Sequence, residues 1–333
     1  MGVAMGALLG IDIGGTSIKA GLFDDCGELL RMRSIPTGKI VDEGAYEEIC
    51  YKLDLLLADV DDGNDQLIVG VGGMRPSDVI AVGLDVPGPV DAKGNVGVLS
   101  NIELNPEGLC QAIRAHFPDA ELAFVNDANA AAAGELWRGA AMGLSSAVMV
   151  TLGTGVGGGV ILDGRLVSGA FGVGGEIGHI KVRDDETRSC GCGRRGCLEQ
   201  YASATGLVRV YKDICFERGC APAPTRYPSD SLAVFNAREE GDECAQAAID
   251  TMADYLALAF SQISVIADPE AFIVGGGMAG SFDVFSDRLR SSFEKLAFDP
   301  CKKAMIIPAK LGNRAGMYGC AYEALRVVRS VVA

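Results

Sequence analysis

The sequence is poor in imidazole, indole and positive charge. Its 333 residues include 2 histidines and 1 tryptophan, and 29 Lys and Arg face 44 Asp and Glu for a net charge of −15. That balance argues against a partner held by electrostatic attraction, such as nucleic acid or an anionic membrane, and favours a small neutral or locally neutralised substrate. A membrane helix is missing as well. The longest uncharged stretch, residues 139–162, could span a bilayer by length, but it holds seven glycines together with Ser145, Ser146, Thr151 and Thr154. The apolar N-terminal run from Val3 to Ile11 has no basic segment before it and no cleavage-site pattern, so it reads as a buried strand rather than a signal peptide.

What is present points to a large core. Hydrophobic residues make up 49% and charged residues 22%, enough apolar surface for two domains or lobes. The 11 cysteines are odd in number, and eight of them (Cys26, Cys50, Cys110, Cys215, Cys220, Cys244, Cys301 and Cys320) stand singly, a usage suited to a reducing cytoplasm.

Apolar runs bounded by glycine or acidic turns predict strands over Leu8–Ile13, Ile18–Phe23, Leu29–Ser34, Val79–Val86, Leu122–Val125, Ala147–Leu152 and Ala271–Val274. Helices are expected from Glu43 to about Val60, over Ala128–Glu135 and from Gly316 to Val328. Strand, glycine turn and strand occur twice, at residues 8–23 and again at 147–162, with Gly153–Gly159 read as the second turn. This repetition predicts an internal duplication. Glycines gather at the carboxyl ends of predicted strands, where an open α/β sheet binds ligands.

Gly153-Thr154-Gly155-Val156-Gly157-Gly158 satisfies GxGxxG, but an apolar strand follows it and not a helix, so a dinucleotide fingerprint is rejected. No Walker A pattern is present. The better reading is two hairpin loops, Asp12-Ile13-Gly14-Gly15-Thr16 and Gly153–Gly159, whose amides and threonine hydroxyls clasp a polyphosphate; plain hairpin turns are the alternative. Cys190, Cys192 and Cys197 with His179 make a Cys₃His set suited to structural zinc, with a labile disulfide as the competing account. His116 reads as a core or surface residue. Asp127, at a strand end and a helix start, is the candidate general base, against a capping role that Asn126 or Asn129 could also fill. Asp12 suits a Mg²⁺ shell, while Asp85 and Asp91 flank a Pro-Gly-Pro turn where structural roles are common. Glu176, His179 and Glu199 form a polar group suited to sugar hydroxyls.

Together these residues resemble the ROK family of sugar kinases, within the actin-like/hexokinase ATPase superfamily. The resemblance runs through residues 9–16, Pro87-Gly88-Pro89-Val90-Asp91, residues 125–135, residues 153–159, Gly175-Glu176-Ile177-Gly178-His179, residues 190–199 and residues 273–277, in family order over nearly the whole chain. It implies an α/β fold of two actin-like, ribonuclease H-like lobes with an inter-lobe cleft and a zinc-stabilised loop in the larger lobe. Residues 1–126, completed by a C-terminal helix at about 316–333, would form the small lobe. Residues 127–315, with the zinc segment 179–197, would form the large one.

By position, the resemblance makes Asp127 the catalytic base and places Gly88, Asn101, Asn126, Asp127, Glu176, His179 and Glu199 at the sugar. Asp12, Gly14, Gly15, Thr16, Lys19, Thr154 and Gly155 would lie at the ATP phosphates, Gly276 and Gly277 near adenosine, and His179, Cys190, Cys192 and Cys197 on zinc. The implied activity is phosphorylation of the 6-hydroxyl of glucose with ATP and Mg²⁺, in a cytoplasmic homodimer. Alternatives are a kinase for N-acetylglucosamine, N-acetylmannosamine, fructose or mannose, or a non-catalytic sugar-responsive regulator. Two departures bear on this. Asn101 is followed by Ile102-Glu103-Leu104-Asn105, where many glucokinase-like members carry an aromatic or basic residue. The phosphate motif begins at residue 9, whereas repressor members carry a helix-turn-helix ahead of it, so DNA binding is not expected.

Overall fold

The computed structural model describes residues 6–60, 65–67, 72–91, 94–97 and 102–332. In chain order the strands are β1 (Ala7–Ile13), β2 (Ser17–Phe23), β3 (Leu29–Pro36), β4 (Asp65–Leu67), β5 (Val79–Val86), β6 (Glu121–Asn126), β7 (Ala147–Leu152), β8 (Val156–Leu162), β9 (Arg165–Leu166), β10 (Ala271–Gly275) and β11 (Met305–Pro308). The helices are α1 (Glu43–Ala58), α2 (Pro106–His116), α3 (Asp127–Arg138), α4 (Glu199–Ala202), α5 (Ala204–Arg218), α6 (Ser231–Glu239), α7 (Glu243–Ala267), α8 (Phe282–Leu296) and α9 (Ala315–Val332). The fold is mixed α/β with two sheets.

The first sheet has the order β4-β3-β2-β1-β5-β6 and the second β11-β10-β7-β8-β9. In the first, β1 pairs antiparallel with β2 and parallel with β5, and β5 pairs parallel with β6. In the second, β7 pairs antiparallel with β8 and parallel with β10, and β10 pairs parallel with β11. Read outward from β1 and β7 the two arrangements coincide, with β4 added at one edge. The expected duplication is therefore a repeat of strand order. Residues of both alternating sets are buried along β1 and β7, so both faces are covered, which is why their sequences are near-continuous apolar runs.

The chain divides into two compact units. The first comprises the chain up to residue 142, residues 166–174 and residues 313 to the end; the second comprises residues 143–165 and 175–312. The helix α3 thus lies in the first unit, beyond the boundary at 126 that the motif order suggests. The reason is its packing on α9. A Cβ on Gly319 would fall 1.7 Å from the Ala130 carbonyl oxygen, and one on Gly134 would fall 2.1 Å from the Ala315 oxygen. Glycine on each helix lets the two backbones touch. In the same unit α1 is capped by Asp42, which accepts the Ala45 N–H, and turns Ile49, Leu53, Leu56 and Leu57 into the core at helical spacing.

The core of the second unit is built around α7, 25 residues long, whose Phe260 stacks on Phe272 of β10 with ring centroids 4.3 Å apart. One predicted boundary differs. Gly157, Gly158 and Gly159 are strand residues of β8, paired with Thr151, Val150 and Met149, so the turn is only Gly153–Gly155. At Gly158 glycine serves close approach rather than turning: a Cβ there would lie 2.6 Å from both the Gly175 oxygen and the Ile177 side chain.

Candidate active site and metal segment

In the first unit the β1–β2 hairpin carries the Asp12 to Thr16 loop. Gly14 N–H donates to the Ser17 oxygen at 3.1 Å, Thr37 Oγ1 donates to the Gly14 oxygen at 2.7 Å, and Thr37 N–H donates to the Thr16 oxygen at 3.1 Å. The loop is thereby held from behind while Gly15 and Thr16 stay exposed. Lys19, across the hairpin, reaches Asp12 Oδ2 at 3.3 Å.

Behind the loop lies Asp85, completely buried on β5, whose Oδ1 accepts the Ile13 N–H at 2.8 Å. Its Oδ2 is buried without a hydrogen-bond partner among the described residues, and the nearby Cys320 thiol is turned to the Ile11 oxygen at 3.4 Å. Burial pushes the Asp85 carboxyl well above its ordinary range, and the charges of Asp12 and Asp127 push it the same way, against the Ile13 N–H. Burial also raises Asp12, against Lys19. On α9, Gly316 leaves room for this pair: a Cβ there would fall 2.9 Å from both Asp12 Oδ2 and Asp85 Oδ2. A buried and a half-buried carboxylate with an unpaired oxygen between them form a hard donor set that fits a divalent cation such as Mg²⁺. Sequence pattern gives Asp85 a turn-side structural role, whereas its place in an otherwise apolar strand was the sign of this buried one.

Asp127 is exposed at the first position of α3. The cap is Asn126, whose Oδ1 accepts the Asn129 N–H at 3.1 Å. Capping is thus supplied without Asp127. The Asn126 Nδ2 donates to the Gly88 oxygen at 3.1 Å and to Asp127 Oδ1 at 2.9 Å, and Ala128 N–H meets the same Oδ1 at 2.9 Å. One asparagine therefore ties the Pro-Gly-Pro turn to the carboxylate and fixes its orientation. Asp91 serves a turn, accepting from Asn95 N and Nδ2, both at 2.9 Å. Asn101 lies outside the described residues.

In the second unit the Gly153–Gly155 turn is held by its own Gly153 N–H to Gly155 oxygen bond of 3.0 Å and by the start of α5, where Ala204 N–H donates to the Gly153 oxygen at 2.8 Å. Gly276 follows β10 with φ +83°, and a Cβ there would lie 2.6 Å from Leu152 N, so Gly276 and Gly277 stand beside the same turn. Glu199, at the start of α4, reaches Val156 N–H with Oε2 at 3.1 Å. Glu176 is exposed ahead of the short helical turn Ile177–His179.

The ligand atoms of His179, Cys190, Cys192 and Cys197 all lie within 4.8 Å of one another. Cys190 Sγ is 3.8 Å from His179 Nδ1, and Cys192 Sγ is 3.7 Å from Cys197 Sγ. All cysteines are free, so no disulfide competes in this structure. The segment is closed by protein contacts. Val182 N–H donates to the Gly196 oxygen at 2.8 Å, while buried Gln200 takes the Gly196 and Cys197 N–H groups on Oε1 at 2.8 and 3.2 Å. It also donates to the Arg188 oxygen at 3.0 Å. Gln200 carried no motif signal, and only the packing shows its part. Against burial, the Arg194 N–H and guanidinium bring Cys192 down to about 6, whereas burial and the neighbouring thiols push Cys197 up to about 12. Three soft sulfurs and one imidazole at this spacing fit tetrahedral zinc.

The family model described as "ROK family" matches residues 8–327. A glucokinase of Halalkalibacterium halodurans is 33% identical over 319 residues, covering 93% of this chain and 92% of that protein. An N-acetyl-D-glucosamine kinase of Salmonella gallinarum is 28% identical over 94% of this chain and 97% of its own. Among solved structures, a ROK family glucokinase from Streptomyces griseus in complex with glucose and AMPPNP superposes with a TM-score of 0.73 at 33% identity, covering 96% of this chain and all 100% of that one.

Proposed function

The chain belongs to the ROK family of sugar kinases, and from that premise we propose that it transfers the γ-phosphoryl group of ATP to the 6-hydroxyl of glucose. The observation that carries this reading is the orientation of Asp127. Its carboxylate is exposed, oriented by the Asn126 amide and not needed for capping, which suits it to accept a proton from a substrate hydroxyl.

In this mechanism Asp127 accepts the proton of the 6-hydroxyl as its oxygen attacks the γ-phosphorus in line, and ADP leaves. Asn126, Gly88, Glu176, His179, Glu199 and Asn101 hold the sugar. The hairpin residues Gly14, Gly15 and Thr16, with Lys19, Thr154 and Gly155, orient the phosphates, and Gly276 and Gly277 lie at adenosine. Asp12 and Asp85 would hold the Mg²⁺ that accompanies ATP, which neutralises charge on the phosphate oxygens when bound. His179, Cys190, Cys192 and Cys197 would hold a zinc ion that fixes their segment. Among the described residues no helix is long and apolar enough to cross a membrane. We place the protein in the cytoplasm on its cysteine usage, and read it as a homodimer, which light scattering checks.

A second reading is supported by the N-acetylglucosamine kinase relative: the same chemistry on an N-acetylated hexose. ADP release measured with MgATP against glucose, mannose, fructose, N-acetylglucosamine and N-acetylmannosamine separates the two. Asp127→Ala should abolish turnover while sugar affinity largely survives. Turnover retained in that variant would move the base elsewhere, and silence across the panel with sugar still bound would favour a regulator.

A further inference from the structure

Glu199 stands between two parts of the second unit that the proposed mechanism treats separately. Its Oε1 lies 3.7 Å from Cys190 Sγ, in the metal segment, and its Oε2 accepts the Val156 N–H at 3.1 Å, at the end of the Gly153–Gly155 turn. Gly155 packs against the same oxygen, since a Cβ there would fall 2.4 Å from Glu199 Oε2. The position of Glu199 is itself fixed by neighbours in the metal segment: Leu198 N–H donates to the Ile180 oxygen at 2.8 Å, and Cys197 bridges Lys181. Two further tethers leave the following helix for the turn, Ala204 N–H to the Gly153 oxygen at 2.8 Å and Thr205 Oγ1 to the Thr154 oxygen at 3.2 Å. The turn is thus held at three points by residues 199–205, and Glu199 supplies the one ionic acceptor.

We propose that Glu199 is a positioning residue for the nucleotide-binding turn, fixing the Val156 amide so that affinity for the ATP phosphates depends on a side chain anchored in the metal segment. The inference rests on the kinase reading above and adds to it. A carboxylate that served the sugar alone would leave nucleotide affinity untouched when removed. One that also orients the turn links the two.

The test is calorimetric titration of the protein, without sugar, with the magnesium complex of a non-hydrolysable ATP analogue, and separately with glucose and N-acetylglucosamine. Glu199→Ala should weaken nucleotide binding about tenfold or more, the effect of losing a hydrogen bond to a charged acceptor. Glu199→Gln keeps an oxygen for the Val156 N–H and should stay within about threefold of the parent for nucleotide, while losing sugar affinity. Unchanged nucleotide affinity in Glu199→Ala, or an equal loss in Glu199→Gln, would overturn the proposal. If the parent protein binds neither nucleotide nor hexose, the kinase reading fails and this inference falls with it. Binding by the parent with no effect of Glu199→Ala removes this inference alone. Should Glu199→Ala not fold, judged by its melting curve, Glu199→Asp, whose shorter side chain withdraws the carboxylate from the Val156 N–H, against Glu199→Gln carries the same decision: nucleotide binding weakened in the first and kept in the second supports it, and the reverse refutes it.

Discussion

Replacing Asn126 separates two jobs that one side chain performs. Its Oδ1 caps α3 through the Asn129 N–H, while its Nδ2 holds both the Gly88 oxygen and Asp127 Oδ1. Asn126→Ser retains a good capping oxygen and loses the amide donors; Asn126→Ala loses both. A missing cap costs about 1 kcal/mol, so Asn126→Ala should be less stable than Asn126→Ser by about that amount in urea unfolding. The bond to the Asp127 carboxylate is of the charge-assisted kind, worth about 1.5–3 kcal/mol. If that energy orients the base, both variants should lose roughly 10- to 100-fold in kcat, at about 1.4 kcal/mol per tenfold. Steady-state kinetics beside urea curves for the same preparations would show it. The reasoning is refuted if Asn126→Ser turns over like the parent, or if the kinetic loss tracks the stability loss across the two variants.

The geometry makes three further predictions. Gly319→Ala should destabilise the protein by about 3 kcal/mol, the upper end of overpacking, because the new Cβ meets the Ala130 carbonyl at 1.7 Å and not a side chain that can turn away; a change in urea unfolding below about 0.5 kcal/mol would remove the argument for backbone contact. Asp85→Asn should keep the Ile13 N–H bond and gain stability relative to the parent as pH rises. The folded carboxyl titrates above its unfolded value of 3.8, so the parent's stability from that proton is complete below 3.8 and is lost as pH climbs through the folded value. Unfolding curves across the acid-to-neutral range, with a parent-to-variant gap that does not widen upward, would contradict this. Elemental analysis after chelator-free purification should find about one zinc per chain, falling in Cys192→Ser; metal-free protein with a Cys192–Cys197 disulfide would restore the redox alternative.

Much of the first sheet could be read from β1 and β5, because strands covered on both faces are written as near-continuous apolar runs, here interrupted only by Asp12 and Asp85. The motif order gave the candidate site residues, but not which of Asn126, Asp127 and Asn129 caps α3, since all three are good capping residues and only the contacts distinguish them. Glycine misled at 157–159, which belong to β8 and not to a turn, with Gly158 packed closely by Gly175 and Ile177. The α7 helix went unmarked for a different reason. Its buried residues do recur at helical spacing, from Cys244 and Ala245 through Ala248, Ile249, Met252, Ala253, Leu256 and Ala257 to Phe260, but several of them are alanine, which marks a core face only weakly in a sequence. The clamp by Gln200 on Gly196 and Cys197 had no sequence signal at all, because a glutamine beside a metal motif is as common on a surface.

The contact of α9 with α3 and β1 also sets an order of events during synthesis. Asp12 and Asp85 are made early, but the glycine that gives them room, Gly316, and the thiol beside them, Cys320, belong to the last helix, and the whole second unit is translated in between. A nascent first unit therefore leaves the ribosome with an open flank and a half-built acidic pair, which is completed only when α9 packs onto it. Premature termination anywhere in the second half would release a sheet whose candidate site was never closed, so a truncated product should be inactive and reliant on chaperones even though Asp12, Asp85 and Asp127 are all present.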